Sequence, residues 1–232
     1  MGALLFLPAG TLAYPNGWLF SALLFIPMLL LGVVLFVKAP ELLRKRLDTK
    51  EKEKTQKGVV GVSALAFLAG FIVAGLDWRF GWSKVSLPVV IMASVVMLVS
   101  YGLYAEVMRE NAYLSRTVKV HEGQKVIDTG LYGIVRHPMY MATIFLFLSI
   151  PLVLGSWYSF IIFLLYPAVI VVRIINEEKV LSEGLEGYEE YKKKVKFRII
   201  PFVWLIYEIS RIDTSYRWYD KRYLGERNQG RL

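Results

Sequence analysis

The chain contains no cysteine, which excludes disulfides, thiolate nucleophiles and cysteine metal sites. Its histidines are His121 and His137 alone, too few for a His-rich metal centre, and no metal site is expected. Charge is scarce, at 20% of residues against 56% apolar, and acidic charge scarcer still, with 19 Asp and Glu against 28 Lys and Arg. The charges fall in blocks between apolar runs, which fits a polytopic membrane protein better than a soluble domain. In a soluble protein the net charge of +9 would suggest nucleic acid. Beside membrane segments it suggests an anionic lipid surface instead, and no nucleic-acid partner is expected. There is no internal repeat. No positive n-region or clear small-residue cleavage site marks the start, so a cleaved signal peptide is not expected. The 232 residues suit one domain.

What is present reads as an all-α membrane protein with about five transmembrane helices. Residues 1–16 are apolar but broken by Pro8, Gly10 and Pro15, and read as a short re-entrant or interfacial segment. Spans are expected at Gly17–Val37, with a kink at Pro27, at Gly58–Leu76 and at Leu87–Val107. Lys38–Lys57 is a charged connector, helical or loop. Asp77–Trp82 is a short connector with interfacial tryptophans. Met141–Gly155 and Trp157–Val172 read as a tight helical hairpin whose arms, at about 15 residues, are short for the hydrocarbon core. The connectors after spans one, three and five hold 26 of the 28 basic residues. By the positive-inside rule these connectors are cytoplasmic and the N-terminus is outside. A further helix is expected from Glu178 to about Lys196, an interfacial helix at Phe202–Ile209, and a polar, basic tail.

Two polar clusters interrupt this apolar pattern. The first is Asp128-Thr129-Gly130-Leu131-Tyr132-Gly133-Ile134-Val135-Arg136-His137-Pro138-Met139-Tyr140. Gly130 and Gly133 let the backbone approach a ligand or take a positive φ, and Pro138 keeps His137 out of the helix. Arg136 is a permanent forked cation, His137 exchanges protons near neutrality, and Tyr132 and Tyr140 add aromatic faces and hydroxyls. Such a set suits a ligand with an anionic end and a flat ring. The second cluster is Arg173-Ile174-Ile175-Asn176-Glu177-Glu178. Arg173 and Glu177 are four apart and share a helix face, while Glu178 is turned about 100° away. A carboxylate here can hold an ammonium or sulfonium, and an arginine an acidic acceptor. Each cluster also has a plain reading. Arg173 and Glu177 also fit an ordinary i, i+4 pair, and Arg136-His137 a snorkelling border. Tyr188 and Tyr191, three apart, read as packing, Lys192-Lys193-Lys194 as a solvated or lipid-facing run, and His121 as a loop residue.

At these residues the sequence resembles the isoprenylcysteine carboxyl methyltransferase and phospholipid methyltransferase superfamily of integral membrane enzymes. The pieces are Thr129-Gly130-Leu131-Tyr132, Arg136-His137-Pro138-Met139-Tyr140, Glu177-Glu178 with Leu181, and Tyr188-Glu189-Glu190-Tyr191, ending near Arg198 and Pro201. They span roughly residues 90–204. The resemblance implies one membrane methyltransferase domain over 1–232. Its parts are variable N-terminal spans at 17–107, a cofactor-binding catalytic half at 108–204 and a basic tail at 205–232. It implies S-adenosylmethionine as cofactor, in a cytoplasmic pocket capped by the segment after the last helix. Gln124, Lys125, Val126 and Ile127 would line that pocket, with Gly130, Tyr132, Arg136, His137, Pro138, Met139 and Tyr140 completing it. Glu177 would hold the methionine ammonium and Arg173 would orient an acceptor carboxylate. The Gly-x-Gly motif of the phosphatidylethanolamine branch is absent from the third span, where Ser100-Tyr101-Gly102 stands.

The expected function is therefore methyl transfer to a hydrophobic or membrane-embedded acceptor, a carboxylate of the isoprenylcysteine type first. A carboxylate needs placing, alignment and exclusion of water rather than a general base. A phospholipid amine or small thiol would need a proton acceptor, with Glu178 the candidate. The acceptor would enter laterally from the membrane lipids and the cofactor from the cytoplasm. The alternatives are an NADPH-dependent reductase of the sterol-reductase type and a non-catalytic membrane protein.

Overall fold

A computed structural model describes residues 1–47, 54–111, 113–114, 120 and 123–201, with the backbone alone for 45–47 and 54–57. His121 and the stretches expected as an interfacial helix and a basic tail lie outside the described residues. Among those described there is no strand and the elements are helices. They are α1 (Gly2–Ala9), α2 (Pro15–Lys38), α3 (Pro40–Leu47), α4 (Lys54–Phe80), α5 (Leu87–Glu110), α6 (Pro138–Leu154), α7 (Trp157–Phe163), α8 (Leu165–Gly184) and α9 (Tyr188–Lys194).

Four segments are long and apolar enough to cross a membrane: Pro15–Lys38, Gly58–Phe80, Leu87–Glu110 and the combined Trp157–Gly184. Pro138–Leu154 is apolar but shorter. Their outward faces are greasy; Leu29, Leu30, Val33, Phe36 and Val37 on α2 are all more than half exposed. Such a face is stable only against lipid or another apolar surface, so the chain is an integral membrane protein.

Several boundaries differ from the sequence-based expectation. Helix α2 contains Pro27 and extends beyond the expected Gly17–Val37 to Pro15–Lys38. Asp77–Phe80, expected in a connector, completes α4. Within the stretch expected as a short re-entrant or interfacial segment, residues 2–9 form a helix packed on α4. Gly75 permits that crossing, since a β-carbon there would lie 2.5 Å from the Leu5 carbonyl oxygen. The second arm of the hairpin does not stop at Val172 but continues as α8 to Gly184. It breaks once, at Leu164, because Pro167 has no N–H and its ring crowds the carbonyl of Phe163. The helix expected from Glu178 to Lys196 is two pieces, with a turn at 185–187 between α8 and α9.

One core cluster joins Leu5, Tyr14 and Phe20 to Phe71, Met97, Leu154 and Phe163. Phe67 stacks edge-on against Phe147 and Phe163, at 4.8 and 5.1 Å between ring centres. Asp77, only 1% exposed, ties two connections together. It accepts from the Ser83 amide (2.7 Å), the Ser83 hydroxyl (2.6 Å) and the Ser156 hydroxyl (2.5 Å). This knot fixes the α4–α5 link and the α6–α7 turn at one end of the bundle. The polar clusters lie at the other end, where α5 finishes and α6 begins.

Candidate functional site

The loop between α5 and α6 is held from both sides. Gly130, at φ +54°, opens a 3-10 turn, Gly130–Gly133. There the Leu131 amide donates to both oxygens of Glu110, at 3.2 and 3.0 Å. A β-carbon at Gly130 would overlap that carboxylate, so glycine is required for its backbone angle and for space. On the far side the Arg136 and His137 amides donate to the Phe197 and Arg198 carbonyls, at 2.9 and 2.8 Å. The strip after α9 therefore closes over the first cluster, and the Tyr191 hydroxyl adds a 2.8 Å bond to the Tyr132 carbonyl.

The second cluster meets the first through its two glutamates, which have different work. Glu178 is buried. Its oxygens lie 2.9 Å from Arg136 Nε, 2.9 Å from Arg198 Nη2 and 3.2 Å from His137 Nε2. Two guanidinium groups enclose it, and it does not line the neighbouring cavity. Glu178, expected as a proton acceptor, therefore stands between two guanidinium groups and outside the cavity lining. Glu177, on the adjacent face, opens into the cavity. It accepts a short hydrogen bond from the Tyr140 hydroxyl and sits 4.0 Å from His137 Nδ1. Arg173 Nε donates to the same Tyr140 hydroxyl at 2.8 Å, and its guanidinium lies 5.8 Å from the centre of that ring. Arg173 and Glu177 are thus linked through Tyr140.

The cavity is lined by eleven of the expected residues: Gln124, Lys125, Val126, Ile127, Tyr132, Arg136, His137, Met139, Tyr140, Arg173 and Glu177. Gly130 and Pro138 are not in its wall. Gly130 shapes the turn behind it, and Pro138 is the first residue of α6, where a missing N–H costs nothing. Sequence reasoning missed Asn111, Tyr113, Leu114, Leu181, Leu185, Tyr188 and Tyr191 as lining residues. Leu181 was within reach, being four residues from Glu177 on one helix face. Tyr188 and Tyr191 do pack, at 5.8 Å between rings, yet they also form a wall. Nothing in the local sequence marks Asn111 to Leu114.

A second, larger cavity of about 770 Å³ lies on the other side of Tyr140. Helices α2 to α6 and α8 line this open cavity with apolar side chains such as Met28, Leu31, Leu35, Val59, Phe67, Phe147 and Ile170. Met139, Tyr140 and Arg173 line both cavities. The arrangement is a polar, aromatic pocket beside an apolar chamber, with Met139, Tyr140 and the cation Arg173 between them and the Glu177 carboxylate on the polar side.

The phospholipid methyltransferase family model matches residues 86–186, the stretch that carries both polar clusters. That family is part of the isoprenylcysteine carboxyl methyltransferase and phospholipid methyltransferase superfamily, which this region resembles. The superfamily supports a membrane methyltransferase that uses a methyl donor. The chain is also similar to the Delta(14)-sterol reductase of Mus musculus, with 31% identity over 91 residues, covering 38% of this chain and 22% of that protein. The chain thus spans about a fifth of the length of that curated relative.

Proposed function

We propose that the protein transfers a methyl group from S-adenosylmethionine to the carboxylate of a lipophilic acceptor, as an isoprenylcysteine-type enzyme would. The observation that carries this reading is the joint: Tyr140 and Arg173 face the polar pocket and the apolar chamber at once. A reaction between a water-soluble donor and a lipid acceptor requires such a meeting point. The polar pocket suits the cofactor in kind, offering the Glu177 carboxylate to an ammonium, aromatic rings to a purine, and backbone at 124–127 to its edges. S-adenosylmethionine would supply an electrophilic methyl group on a sulfonium sulfur.

The residues of the chain then have position and exclusion as their tasks. Arg173 would orient the acceptor carboxylate at the mouth of the chamber. A carboxylate carries no proton to lose, so Arg173 would only have to hold its oxygen in line with the methyl group that the sulfonium would supply. The enclosed Glu178 supports the carboxylate over an amine or thiol, since it cannot readily take the proton those acceptors release. The basic connectors lie at the end of the bundle that carries the pocket, which favours a cytoplasmic site, with the apolar chamber open to acceptors from the membrane lipids.

The sterol reductase similarity favours a second reading, an NADPH-dependent reductase. Calorimetry on the detergent-purified protein separates the two. Binding of S-adenosylmethionine without NADPH is expected, with Glu177→Gln weakening it at least tenfold and Arg173→Ala sparing it while lowering turnover. NADPH binding alone would overturn the methyltransferase reading, and equal loss of affinity in both variants would overturn the division of roles.

A further inference from the structure

Tyr188 opens α9 beside the polar pocket. Its ring is anchored among Leu185, Tyr191 and Val195, and only 4% of the residue is exposed. Its hydroxyl nevertheless has no hydrogen-bond partner among the described residues. Tyr191, one turn on in the same wall, shows the usual outcome, with its hydroxyl bonded to the Tyr132 carbonyl. A buried hydroxyl left unmatched destabilises a fold, so a persistent one points to a ligand.

We infer that the Tyr188 hydroxyl is a ligand-binding donor that hydrogen-bonds the α-carboxylate of S-adenosylmethionine. The inference rests on the methyltransferase reading and adds a contact to it. Burial and the nearby charges of Glu178 and Glu177 push the Tyr188 hydroxyl well above its ordinary pKa. It therefore keeps its proton and serves as a donor. Leu181, one turn on from Glu177 along α8, packs against the cluster that holds Tyr188, which puts the ring at the end of the pocket where Glu177 would take the ammonium. In an amino acid the ammonium and carboxylate share one carbon, so a donor beside the ammonium site meets the carboxylate. Two cations lining the pocket are already engaged, Arg136 by Glu178 and the Val195 carbonyl and Arg173 by the Tyr140 hydroxyl.

The test is calorimetric titration of the full-length wild type and Tyr188→Phe with S-adenosylhomocysteine and with 5′-methylthioadenosine, which lacks the amino-acid end. Tyr188→Phe is expected to weaken S-adenosylhomocysteine about 3- to 10-fold and to leave 5′-methylthioadenosine unchanged. The ligand-free variant should melt at or above the wild-type temperature, because the substitution deletes an unmatched polar atom. Unchanged S-adenosylhomocysteine affinity in the variant overturns this inference alone. Equal weakening of both ligands moves the hydroxyl to the nucleoside and overturns the carboxylate contact. A lowered melting temperature without ligand makes Tyr188 a packing residue and also overturns it. Failure of the wild type to bind S-adenosylhomocysteine removes the methyltransferase reading and this contact with it.

Discussion

Replacing Glu178 by glutamine tests whether the two adjacent glutamates do different work. The substitution keeps the volume of the side chain and removes one negative charge from the middle of three basic groups. The side chains of Arg136 and Arg198 are 3% and 12% exposed, so the two guanidinium groups cannot simply turn to water. Removing one partner of a buried ion pair costs about 3–5 kcal/mol. Arg136 keeps a carbonyl acceptor at Val195, 3.3 Å away, and the glutamine oxygen still accepts from one cation. These residual contacts put the expected loss near the lower end, about 3 kcal/mol. For a chain of this size that corresponds to a fall of roughly 6–12 °C in melting temperature. Tryptophan fluorescence on detergent-solubilised protein reads it directly. Glu177→Gln is the internal control. The Glu177 side chain is 24% exposed and the amide oxygen can still accept from Tyr140, so its melting temperature should move by no more than about 2 °C. If Glu178→Gln melts like wild type and loses only ligand affinity, Glu178 faces the ligand and its assignment as the tie beneath the site is wrong.

The apolar chamber makes a prediction of its own at Gly32, which lines it on α2 and has no atom within 4 Å of where a β-carbon would stand. Gly32→Phe adds bulk to the chamber wall at a position where the first added carbon meets no neighbour. Turnover of a long-chain acceptor should fall at least tenfold while calorimetric S-adenosylmethionine affinity stays within twofold; a matching loss of both would mean the bundle itself had shifted. Tyr191 predicts a pH dependence. Burial, with smaller contributions from neighbouring charges, pushes its hydroxyl well above the ordinary value near 10. The folded protein therefore holds this proton to higher pH than the unfolded chain does. The associated stability is complete below pH 10 and is lost as pH rises from there. Tyr191→Phe should cost about 1 kcal/mol at neutral pH through the lost bond to Tyr132, and should flatten the alkaline fall in melting temperature; an unchanged alkaline slope would assign that fall to other groups.

What the sequence made legible follows from which physical signal each feature leaves. The spans of α4 and α5 were readable because lipid demands an unbroken apolar run. Their ends were not, because Asp77–Phe80 and Met108–Glu110 continue the helix after the apolar run has stopped. Hydropathy reports the solvent around a backbone, and the hydrogen-bond ladder does not end where the solvent changes. The same mismatch hid the true length of α8: Arg173, Glu177 and Glu178 interrupt the apolar composition while lying in mid-helix. The two polar clusters stood out because charge is costly beside lipid and calls for a partner or a task. Their joining through Tyr140 needed coordinates, since i, i+4 spacing alone allows an ordinary pair. Least legible was the apolar chamber. Its lining comes from six helices, and a leucine facing a lipid-sized cavity has the same composition signal as a leucine facing the bilayer. A membrane enzyme with a lipid acceptor is therefore expected to reveal its cofactor residues in sequence and to conceal its acceptor residues. For this chain the acceptor's identity has to be sought by altering that chamber, position by position, from Gly32 inward.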